Sequence, residues 1–414
     1  MKLIISHPTG NANVRAATLG FAKAALLFKY YTTIATFPDS WLSALANIPL
    51  FKEAKRRELD AVLRPFTSLW PWREIGRLAA SKAQLTKLNA CEKSFFSIDA
   101  VYRNLDKHVA SKLSGCSRKD VKAVYAYEDG AANIFLEAKH LNLQCLYDLP
   151  IGYWRTARKL MAGEEERWPG WFNTITGFSD SPEKLNKKDR ELTKADHIFV
   201  ASSFTAGTLR DFPGTLAPVH VIPYGFPPVV TDRVRVNKNT YQPLKILFVG
   251  SLSQRKGIAD LFHVVDQLKQ HVQLTVVGQK VTNDCEPLNK ALDACQWIPA
   301  LAHNHILQLM REHDVLVFPS LFEGFGLVIT EAMSQGTPVI TTNRTAGPDL
   351  IQHGENGWLF EAGHTNALRE NIEYILEHPS SLKRTGEAAL QTAAKRPWEQ
   401  YSTELADAVK QCIA

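Results

Sequence analysis

The amino-acid sequence predicts an α/β protein with parallel sheets and more than one domain. Short apolar strands alternate with helix-length segments along the chain, a rhythm typical of such sheets. The 414 residues exceed one ordinary hydrophobic core, so two or three domains are expected. A hydrophobic content of 45% and a charged content of 22% are close to globular averages and exclude a largely disordered chain.

Five parallel strands are predicted in the first half of the chain. They cover residues 2–6, 121–127, 143–147, 197–201 and 219–222. The first strand ends in a glycine turn at Gly10, which leads into a helix over residues 14–26. A charge-rich helix over residues 183–194 precedes the fourth strand.

Acidic residues follow the second and third of these strands. Glu128 and Asp129 come after the second strand, and Asp148 comes after the third. The carboxyl ends of parallel strands meet at the edge of the sheet where open α/β folds place ligands. These acids are therefore candidate site residues, although Asp148 fits a turn before the following Leu-Pro equally well.

The second half of the chain begins with a basic turn. A buried strand over residues 245–249 ends in Gly250, and the next helix opens with Arg255 and Lys256. Glycine lets a backbone approach a ligand closely, and the amides at a helix start favour an anion. The sequence therefore predicts a phosphate-binding turn here.

Glu323 and Glu331 are the most informative pair in the sequence. They lie eight positions apart across a turn that joins an apolar strand to a helix starting at Leu327. Gly324 and Gly326 suit a close backbone approach at that helix start. Carboxylates only accept hydrogen bonds, so beside an anion site they suit ribose or sugar hydroxyls. The alternative is that Glu323 caps the turn and Glu331 forms a surface ion pair.

Together these turns resemble the donor-binding half of a retaining family 4 glycosyltransferase (glycosyl transferases group 1) with the GT-B fold. The resemblance extends over roughly residues 222–365. It is carried by segments at residues 222–225, 245–257, 274–278, 297–299, 321–332, 336–341 and 355–360. It implies two Rossmann-like, doubly wound parallel-sheet domains that face a cleft.

The resemblance also implies domain boundaries. The acceptor-binding domain would span residues 1–223, the linker residues 224–242 and the nucleotide-sugar donor-binding domain residues 243–395. A C-terminal helix within residues 396–414 would cross back onto the first domain.

Residue roles follow from the resemblance where the motifs match. Glu331 would bind the ribose hydroxyls, and Glu323 would bind hydroxyls of the transferred sugar near the reacting carbon. Lys256 would neutralise the diphosphate, which stabilises the negative charge that grows as the glycosidic bond breaks. The turn itself would face the diphosphate and the sugar. Its donor-binding residues would be Gly324, Phe325, Gly326 and Leu327.

Further donor contacts are implied at other loops. Gly10 would face the donor phosphates from the first domain. The nucleobase would be contacted near Gln279 and Ile298, largely through the backbone. The nucleoside-diphosphate sugar is the expected co-substrate, and no metal or other cofactor is expected because the sequence contains no Asp-x-Asp motif.

The sequence departs from the family pattern at two positions. Ser251 stands where the family usually has an arginine after the glycine, so Arg255 is predicted to supply the second positive charge. The alternative for Arg255 is a solvated residue at a helix start. Asp148 stands where many relatives have a histidine, and Asp148 or Asp129 is a candidate for that role.

The resulting hypothesis is a retaining transferase that moves a hexose-type sugar from a nucleoside diphosphate to a hydroxyl of a saccharide or lipid-linked acceptor. Bacterial surface polysaccharide or lipopolysaccharide synthesis is the expected setting. Two alternatives stay open. A catalytically silent sugar-nucleotide-binding subunit of a polysaccharide assembly complex would keep the fold without the chemistry. A GT-B phosphorylase or sugar-nucleotide epimerase would use a similar cleft.

Charge is distributed unevenly along the chain. Residues 1–235 carry 33 Lys and Arg against 23 Asp and Glu, and the remainder carries 15 against 19. The basic half would face the acceptor, which favours an anionic acceptor or an anionic membrane surface. Nucleic acid is disfavoured because the sequence has no zinc-finger spacing or arginine-rich tract. Residues 41–63 would lie on a membrane interface or pack as a helical lobe.

Scattered cysteines indicate a reducing compartment. The six cysteines, at positions 91, 116, 145, 285, 295 and 412, show no metal-ligand spacing. The histidines at positions 7, 197, 220 and 353 are interpreted as isolated packing or surface residues. No apolar stretch reaches the roughly 18 residues of a membrane span, and the N-terminal segment is predicted to be a strand and not a signal peptide. The predicted location is the cytoplasm or the inner face of its membrane.

Overall fold

The computed structural model describes residues 1–38, 57–116, 120–175, 180–231 and 242–414. Most of the segment predicted to be a membrane-interface or packed helical lobe lies outside these ranges. The same holds for the polar part of the predicted linker, so neither prediction is tested.

In the described residues, the first domain is built on a seven-stranded parallel sheet. Its strands are β1 (Lys2–Ser6), β2 (Leu27–Thr32), β3 (Thr67–Leu69), β4 (Val121–Tyr127), β5 (Gln144–Leu149), β6 (His197–Val200) and β7 (Val219–Val221). Their order across the sheet is β3-β2-β1-β4-β5-β6-β7. The order changes direction between β1 and β4, and such a point opens a crevice at the carboxyl edge.

Helices connect the strands of this first sheet. They are α1 (Ala12–Lys23), α2 (Trp72–Lys82), α3 (Ile98–Cys116), α4 (Ala132–His140), α5 (Trp154–Met161), α6 (Glu164–Arg167), α7 (Pro182–Lys194) and α8 (Ser203–Thr208). Strand β4 is buried at every position except Lys122, because a parallel sheet is covered on both faces. Helix α7 starts where Ser181 Oγ accepts a hydrogen bond from the amide of Lys184, with Pro182 in the first turn.

In the described residues, the second domain has a six-stranded parallel sheet. Its strands are β8 (Leu244–Val249), β9 (Val272–Val277), β10 (Gln296–Ile298), β11 (Val315–Phe318), β12 (Val339–Thr342) and β13 (Trp358–Phe360). Their order is β10-β9-β8-β11-β12-β13, so the direction changes between β8 and β11. The helices are α9 (Ile258–Gln267), α10 (Glu286–Asp293), α11 (His303–Glu312), α12 (Leu327–Ser334), α13 (Gly347–Leu350), α14 (Thr365–Glu377) and α15 (Ser381–Lys395).

The last helix, α16 (Trp398–Ile413), returns to the first domain. It packs so closely on α1 that a Cβ on Gly20 would lie 2.5 Å from the carbonyl oxygen of Ser402. The hydroxyl of Ser402 donates a hydrogen bond to the carbonyl of Ala16 at 2.9 Å. These contacts confirm the predicted crossing helix.

The two chain segments that join the domains run side by side. The amide of Phe226 donates to the carbonyl of Arg396 at 2.8 Å, and the Arg396 guanidinium donates to the carbonyl of Pro223 at 2.6 Å. A Cβ on Gly225 would lie 2.4 Å from the Cα of Trp398. Glycine is therefore required where the two segments touch.

The predicted architecture of two parallel-sheet α/β domains is confirmed, with two differences in detail. The sequence does not predict β2 or β3, and β3 has only three residues, none of them buried. Helix α1 ends at Lys23 instead of residue 26, because Ala25 turns the chain with φ 57°. Within the described ranges, no helix is long and apolar enough to cross a membrane.

Candidate active site

The turn after β11 holds the two glutamates and their glycines. Gly326 has φ +88°, which a side chain would strain, and it is the N-cap of α12. Phe325 is buried, and its ring centroid lies 4.8 Å from that of Tyr224. Packing of Phe325 therefore fixes the turn, and the first amides of α12 can bind an anion.

Glu323, Lys256 and Arg255 form a charge cluster. The carboxylate of Glu323 contacts the Nζ of Lys256 and lies 3.5 Å from Nη1 of Arg255. The same Nη1 donates to the carbonyl of Phe322 at 2.7 Å. Lys256 is only 9% exposed. Burial and the Arg255 guanidinium lower the pKa of Lys256, whereas the contacting carboxylate favours its charged form.

The charge cluster lies where the strand order of the second sheet changes direction. Arg255 and Lys256 follow β8, Glu323 follows β11, and these two strands are neighbours. Gly257, with φ +69°, directs the chain from the basic turn into α9. A Cβ there would lie 2.0 Å from the carbonyl oxygen of Pro319. The pairing of β8 with β11 thus joins two turns that are 67 positions apart between Lys256 and Glu323.

Glu331 lies on α12 and pairs with a residue of α11. Its Oε1 lies 3.0 Å from Nε2 of His303, whose side chain is 61% exposed against 20% for Glu331. The hydrogen bond with Glu331 raises the pKa of His303. This contact is the surface ion pair that the sequence predicts as the alternative role of Glu331. The Glu331 carboxylate still reaches solvent. Any hydroxyl bound by Glu331 would compete with His303.

The glutamate turn is docked against the first domain. The carbonyl of Gly324 accepts hydrogen bonds from the hydroxyls of Ser202 and Thr205 at 2.6 and 2.8 Å. A Cβ on Gly324 would lie 2.0 Å from the carbonyl oxygen of Pro150. Gly324 therefore permits the two domains to close on each other at the site.

A cavity of about 300 Å³ lies between the domains beside the charge cluster. Residues from both domains line it. From the first domain these include Ile151, Gly152, Trp154, Arg158 and Lys188, and from the second Ser251, Ser253, Arg255 and Phe322. Arg158, Lys188 and Arg255 thus border one space together with Asp180, and this space is large enough for part of a substrate.

The loops predicted to contact the nucleobase lie beside this cavity. The amide of Leu252 donates to the carbonyl of Gln279 at 2.9 Å, and the amide of Gly278 donates to the carbonyl of Ile298 at 3.0 Å. Ser251 is exposed next to them. These bonds join the carboxyl ends of β8, β9 and β10 into one surface.

Gly10 lies in the loop between β1 and α1. It has φ +62°, and its amide donates to Nδ1 of His7 at 3.2 Å. The guanidinium of Arg15 donates to the Gly10 carbonyl at 2.9 Å. Burial lowers the pKa of His7 to about 3, so its neutral ring can accept from this loop. His7 orders the loop instead of being an isolated residue.

Asp148 is buried at the end of β5. It is 4% exposed and accepts a hydrogen bond from the hydroxyl of Tyr125 at 2.6 Å. Burial raises the pKa of Asp148 to about 7. With Tyr224 and Tyr401 it lines a small space under α16, not the cavity between the domains. This geometry favours the structural interpretation of Asp148 over a general-base role.

Glu128 and Asp129 are held by lysines of α7. A carboxylate oxygen of Asp129 lies 3.3 Å from Nζ of Lys187, and one of Glu128 lies 3.4 Å from Nζ of Lys188. Burial raises the pKa of Glu128 to about 7. Lys188 also lines the cavity between the domains. This network therefore reaches the cavity through a lysine, and not through the predicted acid Asp129.

Comparison with known proteins agrees with this geometry. Residues 230–392 match the family model described as glycosyl transferases group 1. The match falls on the linker and the second domain. Over 164 residues, 38% of this chain, it is 29% identical to the capsular polysaccharide biosynthesis glycosyltransferase CapM of Staphylococcus aureus, covering 42% of that protein. The chain spans about half the length of the curated relatives it matches.

Solved structures share the whole fold of this chain. The sucrose-phosphate synthase of Thermosynechococcus elongatus aligns with a TM-score of 0.67 at 19% identity, covering 99% of this chain and 98% of that one. HepE of Anabaena, solved in complex with UDP-glucose, aligns with a TM-score of 0.60 at 16% identity, covering 99% and 100%. The predicted GT-B fold is confirmed.

Sequence reasoning missed several residues that the fold brings to this site. His303 binds Glu331, and Arg158 and Lys188 line the cavity. They lie on helices whose sequences show only ordinary amphipathic patterns. Only Lys188 could have been predicted from the sequence, because it lies in a charge-rich helix that follows two strands ending in acids.

Proposed function

We propose that this protein is a retaining glycosyltransferase that moves a sugar from a nucleoside diphosphate to a hydroxyl of a saccharide or lipid-linked acceptor. The observation that carries the proposal is the charge cluster. It combines a buried lysine, an arginine on the cavity between the domains and a carboxylate, all beside the first amides of α12. Anion-binding and hydroxyl-binding groups in one place suit a sugar nucleotide.

The cluster is internally paired and has to rearrange around a donor. Lys256 contacts Glu323, so each neutralises the other. A diphosphate carries more negative charge than one carboxylate and would take over Lys256 and Arg255. Glu323 would then be free to accept hydrogen bonds from the sugar. Donor binding and the placing of Glu323 are therefore one event in this proposal.

The proposed reaction keeps the anomeric configuration. The bond between the anomeric carbon and the diphosphate oxygen breaks, and the electron pair stays on the diphosphate. The acceptor hydroxyl oxygen bonds to that carbon on the same face, and its proton passes to a phosphate oxygen. The chain's own contributions are orientation, closure of the two domains and stabilisation of the leaving charge by Lys256, Arg255 and the amides of α12.

A second groove supports an anionic acceptor. In the first domain, a groove of about 190 Å³ is bordered by Arg73, Lys93, Arg103 and Lys107. Four cations in one groove suit a phosphate or carboxylate on the acceptor, or an anionic lipid headgroup beside it. The resemblance to a capsular polysaccharide transferase supports a surface polysaccharide as the product class.

The first test is a thermal-shift screen against nucleoside diphosphates and their sugars, starting with the uridine series. A ligand at about a hundred times its dissociation constant should stabilise the protein by roughly 2.7 kcal/mol. The shift should appear for one nucleotide series and shrink in Glu331→Ala. Glu286→Ala is the matched control, because Glu286 is an exposed helix glutamate paired with Lys290.

Transfer is then measured with the nucleotide that binds. Release of nucleoside diphosphate together with a product of unchanged anomeric configuration, assigned by NMR, would support the proposal. Binding without turnover on any hydroxyl acceptor, or hydrolysis alone, would support the silent-subunit alternative instead. An inverted product would overturn the proposed mechanism.

A further inference from the structure

Three side chains that commonly bind transition metals meet where α16 crosses the edge of the first sheet. They are His197 on β6, His220 on β7 and Cys412 in the last turn of α16. Nδ1 of His197 lies 3.1 Å from Nε2 of His220, and Sγ of Cys412 lies 3.7 Å from the same Nε2. All three ligand atoms lie within 4.8 Å of one another. This cluster corrects the interpretation of these histidines as isolated residues.

The fold holds the three residues in place independently of any ligand. In the parallel register of β6 and β7, His220 is opposite Phe199, so His197, Phe199 and His220 share one face of the sheet. The ring of His220 stacks on Phe199 with centroids 4.9 Å apart. On α16, the residues Val409 and Ile413 on either side of Cys412 are buried, so the last turn of this helix is packed and not free in solvent.

We infer that His197, His220 and Cys412 form a binding site for a thiophilic divalent cation of the zinc class. Two imidazoles and a thiolate are a ligand set that zinc prefers. Tetrahedral zinc with Zn–N near 2.05 Å and Zn–S near 2.3 Å has ligand-to-ligand edges of about 3.3 and 3.6 Å. The two separations from Nε2 of His220, 3.1 and 3.7 Å, are close to these edges, and the ligand atoms of His197 and Cys412 lie within 4.8 Å of each other.

The site would clip α16 to the first domain and is separate from the proposed chemistry. His197 is the first residue of β6, so the cluster lies toward the amino ends of the strands, away from the carboxyl edge that borders the cleft. Three protein ligands leave a fourth position for water. A clip of this kind would stabilise the crossing helix without taking part in sugar transfer.

The test is a titration of the full chain with Co²⁺, which reports its ligands through visible and near-ultraviolet absorption. We expect one Co²⁺ per chain with a thiolate-to-cobalt charge-transfer band, displaced by Zn²⁺. Cys412→Ser should lose that band, and His220→Ala should weaken Co²⁺ binding at least tenfold. Cys91→Ser is the matched control, since Cys91 is an exposed thiol, and it should behave as the unmodified chain.

Thermal denaturation gives a second readout. Zn²⁺ should raise the Tm of the unmodified chain and of Cys91→Ser, but not that of Cys412→Ser. The inference is overturned if the folded, reduced chain shows no thiolate band, or if Cys412→Ser keeps the band. Nucleotide binding is measured on the same samples. Because the two sites are separate, failure of the metal site would leave the proposed transfer function standing.

Discussion

The two domains have the same topology at their switch points but use their charges differently. In the second domain, Lys256 and Arg255 meet Glu323 beside the cavity between the domains. In the first domain, Glu128 and Asp129 follow β4 at the corresponding place and are held by α7 lysines. One cluster borders the shared cleft, and the other ties a helix to its own sheet.

Acids at the carboxyl edge of a parallel sheet are therefore not sufficient to mark an active site. The edge offers a place for ligands, but Glu128 and Asp129 do not line the cavity between the domains, whereas Arg255 of the charge cluster does. We therefore expect substitutions in the charge cluster of the second domain to change turnover. Substitutions of buried acids in the first domain should change mainly stability.

The largest effect is expected for Glu323→Ala. Loss of its carboxylate should lower turnover by about 10² to 10³, the scale of a lost transition-state contact, and should also lower Tm, because the buried Lys256 loses this partner. Turnover is measured with the donor found in the nucleotide screen. Glu286→Ala is the control for loss of an exposed glutamate. Near-normal turnover of Glu323→Ala would show that the charge cluster, like the acids after β4, is structural.

Gly324→Ala should lower turnover by about tenfold to a hundredfold. The new Cβ would lie 2.0 Å from the carbonyl oxygen of Pro150, so the domains could not close as they do now, and misplaced groups lose rate steeply. Gly207→Ala is the control, since a Cβ there meets nothing within 4 Å. The check is turnover together with the radius of gyration in solution. A closed, fully active Gly324→Ala would show that this contact does not govern closure.

Asp148→Asn tests the first domain. In the unmodified chain, burial raises the pKa of Asp148 to about 7, so the folded state holds a proton that the unfolded state releases. The free energy of unfolding should therefore fall as pH rises from about 4 to about 7. The Asn variant should lose this dependence and gain roughly 2 to 4 kcal/mol at pH 8. Urea unfolding at several pH values measures the free energy of unfolding of both chains.

Turnover of Asp148→Asn shows whether this carboxyl group takes part in the reaction. We expect a change of no more than about threefold, because the carboxyl group does not line the cavity. Asp266→Asn, a substitution at an exposed position, is the control for both measurements. A hundredfold loss of turnover would give the first domain a catalytic carboxylate and restore that interpretation of Asp148.

The smallest effect is expected for His303→Gln. The pKa of His303 is raised by Glu331, so their pairing is fully present below the unfolded pKa of about 6.5 and is lost as pH rises through the folded value. Donor affinity should therefore rise roughly two- to fivefold across this window, since exposed pairs are weak. Across the same pH range, the donor affinity of His303→Gln should stay constant. His305→Gln, on the same helix, should keep the pH dependence.

Much of the fold was predictable because its strands, helices and turns leave patterns among residues that are close in the sequence. Strand and helix periodicity predicts the alternating elements, and glycines at residues 10, 324 and 326 mark the turns that the structure contains. Strand β3 was not predictable, because a three-residue strand without buried positions leaves no alternating pattern. The charge cluster was predictable only through the resemblance to a family, since nothing local places Lys256 beside Glu323.

The class of fold, the positions of the site turns and the chemical groups in those turns follow from local sequence patterns. The pairing of groups depends on the tertiary structure, which brings His303 to Glu331, Tyr125 to Asp148, and His197, His220 and Cys412 to one another. These two kinds of information differ in how far apart the interacting residues are in the sequence. Periodicity and turn propensity depend on neighbours within a few residues, whereas contacts between distant residues depend on strand order and on how helices cross the sheet.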